Sequence, residues 1–392
     1  MTRRQFAELP LAAARPSTDA VESVSERARK FHREHPVCDM LGLNLTHPRF
    51  LIDNIDLGRR NEDSCRGDFP KFRDWGMSVV MCKGGPKEYD GDFAALWRSQ
   101  PEHRPGRDTE PLSLSLAFKN PTQLVLAVLD RFLGHVEANP DKVLLVRCAA
   151  DLDAAHSKGK VAILMGANRS DWFGDTPGVL RMLARLGLRM ITVGQATREL
   201  GYDAYNETRS GGRLTEVGVQ MVQEMNRAGI LIDISHLNDP CSLDAIEVWR
   251  KPVVASHSNP RALDPTPRNM PDNVMKALAR RGGVLGLIPP IQRPQGERPL
   301  VRVAKEQVDK TLALIRYAVD VMGVDHVGIG THFNTTVIPW VTDGLLRARY
   351  AEGDVASIMG GNYLRVLRQT LPPLDVRNEV SAARRSDGGT SP

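Results

Sequence analysis

The chain has 392 residues, 41% hydrophobic and 25% charged, with 33 glycines and 26 prolines spread along its length. That composition excludes a collagenous, largely disordered or membrane-embedded chain, and no apolar run approaches the roughly eighteen residues a membrane helix needs. The 52 basic and 47 acidic residues give a formal net charge of +5 without any Lys/Arg block, so no nucleic-acid partner and no transmembrane segment are expected.

The first residues, Met1-Thr2-Arg3-Arg4-Gln5-Phe6, look like the start of a twin-arginine export signal, but Leu9–Ala14 is too short an apolar stretch and ends at Arg15. Residues 1–35 therefore read as an N-terminal extension with a degenerate signal. The chain reads as cytoplasmic, with export of the folded protein by a twin-arginine route as the alternative. Five cysteines, Cys38, Cys65, Cys82, Cys148 and Cys241, form no C-x-x-C pair and agree with a reducing compartment.

Short apolar, β-branched runs then predict strands over Pro36–Leu41, Met77–Cys82, Val161–Ala167, Leu188–Gly194, Ile230–His236, Pro252–His257, Gly283–Pro289 and His326–His332. Apolar residues at three-to-four spacing predict helices over Gly178–Leu186, Glu216–Ala228, Cys241–Trp249, Asp272–Arg280 and Ala304–Val321. Strands apolar on both faces and alternating with helices point to an α/β fold, a (β/α)8 TIM-type barrel over residues 36–372. A doubly wound open sheet is the second choice, but no G-x-G-x-x-G follows the first strand. The rhythm breaks over 83–160, an insertion with a polar run at Arg98–Pro111 and a helix over Pro121–Ala138, and again at Tyr202–Leu214. Both follow strand C-termini, the face that holds barrel active sites. Residues 373–392 read as a disordered tail.

Polar residues gather at the strand ends: Asp39, Asn168, Gln195, His236, His257 and His332, with Arg268 and Asn269 in the loop after the sixth strand. His236 and His257 end consecutive strands, about 4.8 Å apart, so two imidazoles can reach one ion at about 2.0–2.1 Å. His332 joins them if its parity with Gly328 and Gly330 faces the barrel axis. Asp39 can be a ligand, a partner of a ligand or a helix cap. Asp233, three residues before His236, is expected to face the opposite way and to be structural. His47, His103 and His135 are read as solvated. Arg268 suits a substrate carboxylate through two parallel hydrogen bonds, and Asn269 or Asp272 can cap the helix that follows.

From Gly159 to about Arg368 the sequence resembles the membrane (renal) dipeptidase family of metal-dependent hydrolases. The resemblance is carried by Gly159-Lys-Val-Ala-Ile-Leu-Met-Gly166, Leu231-Ile-Asp-Ile-Ser-His236, Val254-Ala-Ser-His257-Ser, Arg268-Asn269-Met-Pro-Asp272, Gly323-Val-Asp-His-Val-Gly-Ile-Gly330 and Gly361-Asn362-Tyr-Leu-Arg365-Val. It implies an α/β barrel, a two-zinc centre, a small-molecule substrate with a carboxylate, and a homodimer. The chain departs from the family's pattern in its ligands. The first-strand D-x-H-x-D segment reads Asp39-Met40-Leu41-Gly42-Leu43, the bridging Glu is Asn168, the His after the fourth strand is Gln195, and His332 stands in place of the catalytic Asp. His236, His257 and Arg268 carry over.

Leucine cannot bind an ion and an amide binds one poorly, so the first ion is expected to be absent. The expectation is one divalent ion per chain, zinc first and iron second, on His236, His257 and His332. Arg268, Asn269, Asn168 and Gln195 would contact substrate, and His332 or Asp39 would move the proton. The leading function is a dipeptidase-type hydrolase acting on a dipeptide-like or other small carboxylated amide. The alternatives are a non-hydrolytic mononuclear metalloenzyme, such as a three-His Fe(II) oxygenase or a lyase, and a catalytically silent binding protein.

Overall fold

Strands whose two faces are both apolar must be covered on both sides, and here a ring of helices covers one side while the ring of strands covers the other. A computed structural model of the chain describes residues 20–21, 24–45, 55–61, 67–84, 121–169, 176–195, 198–290 and 303–373. In chain order the strands are β1 (Ala20–Val21), β2 (Cys38–Asn44), β3 (Val79–Gly84), β4 (Val143–Leu145), β5 (Val161–Asn168) and β6 (Leu188–Thr192). They continue with β7 (Leu231–Asp233), β8 (Val254–Ala255), β9 (Val284–Leu287), β10 (Val303–Ala304) and β11 (Val327–Ile329). Eight parallel strands follow one another in the order β2, β3, β5, β6, β7, β8, β9, β11, and β4 pairs with the first half of β5. β1 and β10 form a separate antiparallel pair.

The two ends of the sheet meet, which makes it a TIM-type barrel. Phe333 N–H donates to the Leu41 carbonyl at 2.9 Å, and Thr331 N–H donates to Asp39 Oδ1 at 3.0 Å. Inside the ring lies an apolar cluster that includes Met40, Met81, Leu164, Met190, Leu231 and Val284. Val80, Ile163, Ile191, Ile232 and Leu285, of opposite parity, pack in the larger cluster between strands and helices. Side chains alternate along a strand, so the last inward positions fall on Lys83 after Met81, Thr192 after Met190 and Asp233 after Leu231. The barrel mouth is therefore polar while its floor is apolar.

All eight strands expected from the sequence form, although five of them, β6, β7, β8, β9 and β11, are shorter than expected. β7, β8 and β11 stop before His236, His257 and His332, because their last residues leave the ladder for side-chain partners described below. Helices Glu216–Ala228 and Asp272–Arg280 have the expected bounds. The first starts where Thr215 accepts a hydrogen bond from Gly218 N–H and stops where Gly229 adopts φ 65°, a conformation that costs glycine little.

Part of the expected N-terminal extension belongs to the body of the protein. Helix Glu26–Glu34, capped by Ser25, buries Ala28 and Phe31, and His32 Nε2 lies 2.8 Å from Thr342 Oγ1 on helix Ile338–Arg347. The signal-like residues 1–19, Cys65, the run Arg98–Pro111 and the tail beyond 373 lie outside the described residues. Among the described residues no helix is long and apolar enough to cross a membrane.

Candidate metal centre at the barrel mouth

His236 and His257 face each other with Nε2 atoms 2.9 Å apart. Their other nitrogens decide which proton each ring carries. His236 Nδ1 lies 2.9 Å from the Gln195 carbonyl, an acceptor only, so Nδ1 holds the proton. His257 Nδ1 lies 2.6 Å from Ser256 Oγ, whose single proton is spent on Asp233 Oδ2 at 2.5 Å. His257 Nδ1 must therefore donate as well. Both Nε2 lone pairs point into the same gap, the arrangement of metal-binding histidines whose far nitrogen is held by a second partner. Two Zn–N bonds of about 2.0–2.1 Å place their nitrogens about 2.9 Å apart at a right angle and about 3.4 Å apart at the tetrahedral angle, so the gap fits one ion. Burial, then the charges of Arg268 and Lys83, hold His236 well below its ordinary pKa; burial, then Lys83 and Arg268, do the same for His257. Both rings are neutral at pH 7, the form a metal requires.

Asp233 anchors this pair. Its Oδ1 accepts from Ser235 N–H (3.1 Å), Ser235 Oγ (2.5 Å) and Ser256 N–H (2.8 Å), and its Oδ2 from Thr192 Oγ1 (2.6 Å) and Ser256 Oγ. The expectation that it faces away from the site fails because the alternation counted back from His236 runs through Ile234 and Ser235, which lie beyond the end of β7. Glycines at 286 and 330 allow the Ser256–His257 backbone to come so close, since a Cβ at either would collide with the Ser256 carbonyl.

Arg268 is more committed than a substrate clamp would be. Its Nη1 donates to the Ser235 carbonyl (2.5 Å) and Ser258 Oγ (2.7 Å) and its Nη2 to the His257 carbonyl (2.7 Å), while Nη2 also meets His236 Nε2 (3.2 Å) on the lone pair that an ion would take over. Four of five N–H groups are used on the protein. The expected pair of parallel bonds to a carboxylate is not on offer. What remains is the Nε–H and the charge, which burial lowers only to a pKa of about 10. Tyr205, from the second insertion, stacks nearby with its ring 5.8 Å from His236 and 5.9 Å from Arg268 Cζ.

Other expected site residues are placed differently. Asn168 Nδ2 donates to Gln195 Oε1 at 3.0 Å, so those two amides do meet at the mouth. Asn269 is consumed by its own loop, accepting from Asn259 N–H and donating to the Asp264 carbonyl. Asp39 is not aimed at the cavity: it lies between Cys38 and Met40, which belong to the interior cluster, and faces the other way. Its carboxylate is fully buried and accepts from Leu41 N–H, Thr331 N–H, Thr331 Oγ1 and Thr335 Oγ1. It stitches the barrel seam, which removes it as a proton carrier. Leu41 packs inside the barrel and Leu43 packs outside it, so neither can hold an ion.

His332 is the principal correction. β11 ends at Ile329, and His332 and Phe333 take left-handed φ values of 52° and 71°, so the parity with Gly328 and Gly330 does not extend to His332. Its ring stacks on that of His257, centroids 5.4 Å apart and planes at 25°. Among the described residues the His, Cys, Asp and Glu side chains whose ligand atoms all lie within 4.8 Å of one another are Glu34, His35 and Glu352, a surface cluster, and not the three histidines. Arg169, just after Asn168, also has φ 67°. Such conformations cost roughly 1–3 kcal/mol each, and three of them border the mouth. His332→Ala is accordingly expected to keep its ion through dialysis against a mild chelator as well as the unmodified protein does. Loss of the ion from that variant would restore His332 as a ligand.

Two residues escaped the sequence reading altogether, Lys83 and Tyr205. A lysine at the end of an apolar strand resembles any solvated strand end, and an insertion gives no periodicity from which to place a ring.

The membrane dipeptidase (peptidase family M19) profile matches residues 91–376. Dipeptidase tcpJ of Claviceps purpurea is 32% identical over 255 residues, 62% of this chain and 58% of that protein. Dipeptidase aclJ of Aspergillus oryzae is 30% identical over 371 residues, 90% of this chain and 77% of that protein. The match thus spans under two thirds of the Claviceps protein and more of the Aspergillus one. The structure of a metallopeptidase from Rhodobacter sphaeroides, liganded with a phosphinate mimic of the dipeptide L-Ala-D-Ala, superposes with TM-score 0.68 at 22% identity, covering 86% of this chain and 99% of that one. The probable dipeptidase PvdM from Pseudomonas aeruginosa gives 0.67 at 21% identity, over 88% and 98%.

Proposed function

The chain belongs to the membrane dipeptidase family, and from that premise we propose that it is a hydrolase of a dipeptide-like or other small carboxylated amide, working with one divalent ion on His236 and His257. The observation that carries this reading is the pair of Nε2 lone pairs 2.9 Å apart with both Nδ1 protons committed elsewhere. Zinc suits two neutral imidazoles, and iron is the second choice. An ion there supplies Lewis acidity to the amide carbonyl and to an attacking water.

The chain's own groups do the rest. His332 is exposed, stands against His257 and is not drawn into the ligand set, so it is the group that accepts the proton of the water and returns it to the departing nitrogen. Arg268 offers its charge and its Nε–H to the substrate carboxylate. Because Asn168 donates to Gln195 Oε1, the Gln195 NH2 is left as a donor at the mouth. Tyr205 forms a wall beside Arg268 and His236.

The test is hydrolysis of a panel of dipeptides and N-acyl amino acids, each with its C-terminal carboxylate free or amidated, with and without added Zn²⁺ or Fe²⁺. Ion-dependent turnover of free-carboxylate compounds is expected, with amidated partners much slower. Simple L-dipeptides should be poor substrates, because replacing carboxylates of the proton-transfer machinery typically costs about a hundred- to ten-thousand-fold. Absence of ion-dependent hydrolysis across the panel, or equal turnover of amidated compounds, would refute the proposal.

A further inference from the structure

Lys83 is 5% exposed, a rare position for a lysine. It is the last but one residue of β3, with the inward parity of Val79 and Met81, and its register partner on β5 is Gly166, which has no side chain to block its path. The ammonium reaches across to β6, where Nζ donates to Thr192 Oγ1 at 3.4 Å. That hydroxyl donates in turn to Asp233 Oδ2, which lies 3.8 Å from His257 Nδ1. On the other side Nζ is 5.9 Å from the ring of Phe333, the neighbour of His332. The ammonium thus lies inside the barrel mouth, one hydroxyl from the carboxylate that anchors the histidine pair.

We infer that Lys83 is a further site residue, a built-in cation that takes the place of a second metal ion and sets how tightly His236 and His257 hold the first. The inference rests on the one-ion reading above. A divalent ion needs the field of Asp233, relayed through Ser256 and His257, and Lys83 offsets that field through Thr192. At the low effective dielectric of a buried site, like charges interact over many ångströms. Lys83 lies on the strand between β2 and β5, which carry Leu41 and Asn168 in place of ion-binding groups, so the chain sets its own amine beside them.

A ligand lost from a metal site weakens binding, whereas a repelling charge lost from it tightens binding, so the sign of the effect identifies the role. The experiment is calorimetric titration of the metal-free protein with Zn²⁺, and spectroscopically with Co²⁺, for the unmodified chain, Lys83→Met, Lys83→Gln and Lys83→Arg, with folding checked by circular dichroism. Lys83→Met and Lys83→Gln are expected to bind Zn²⁺ about tenfold tighter or more at unchanged stoichiometry, and Lys83→Arg to stay close to the unmodified protein. Should Lys83→Met not fold, the comparison of Lys83→Gln with Lys83→Arg carries the same sign test. Unchanged or weaker binding in the neutral variants, while the unmodified chain holds one ion, would overturn this inference and leave the one-ion reading intact. An unmodified chain that binds no Zn²⁺ at all would instead overturn the reading itself.

Discussion

Asp233→Ala is expected to cost about 3–5 kcal/mol of stability, the usual penalty for removing one side of a buried charged network. Five donors converge on the two Asp233 oxygens, from Thr192, Ser235 and Ser256, and the residue has no exposed surface. Without it these donors have no water to turn to, and each unmet buried group is expensive. The same change frees Ser256 Oγ from its acceptor, so the proton on His257 Nδ1 is no longer fixed and ion binding should fall by about ten- to a hundredfold, the cost of losing an outer partner of a metal ligand. Denaturant unfolding of the two proteins checks the first effect and Zn²⁺ titration the second. A variant within about 0.5 kcal/mol of the unmodified protein, the range of an ordinary surface change, would show that the network is not a keystone.

His257→Ala is expected to abolish ion retention and, with it, hydrolysis. Among the described residues only His236 would then be left aimed into the gap, and a single imidazole does not hold zinc against a mild chelator. The backbone around the position should persist, because Arg268 bonds the His257 carbonyl and not its ring. His257→Ala that keeps its fold and also its ion, by elemental analysis after dialysis, would show that the ion sits elsewhere. Compared with His332→Ala, which should retain the ion but lose turnover, the pair separates holding the metal from moving the proton.

Much of the fold was legible in the sequence because its strands are apolar on both faces, which only a covered parallel sheet tolerates. β4 was not, since three residues, Val143–Leu145, give no pattern, and helix Glu26–Glu34 was hidden by its mostly charged sequence. The histidine pair was legible from two apolar runs that each close on a histidine, although the strands themselves stop at Asp233 and Ala255. What failed was the extension of strand alternation past the last ladder residue. Asp233 was read as facing away and His332 as facing in, yet β7 stops at Asp233 and β11 at Ile329, and left-handed φ values after β11 reset the direction of every later side chain. Arg268 was misread for another reason: a sequence shows five donors but not the four acceptors already waiting in Ser235, Ser258, His257 and His236. Asp39 likewise gave no sign that Thr331 and Thr335, almost three hundred residues later, would close the barrel on it.

Under the proposed function the barrel mouth holds a single ion on His236 and His257. Elemental analysis of the protein after saturation with Zn²⁺ and gel filtration, alongside a His236→Ala/His257→Ala double variant, tests it most directly. About one zinc per chain is expected in the unmodified protein and none in the double variant. Two zinc ions per chain, or one zinc still held by the double variant, would contradict it.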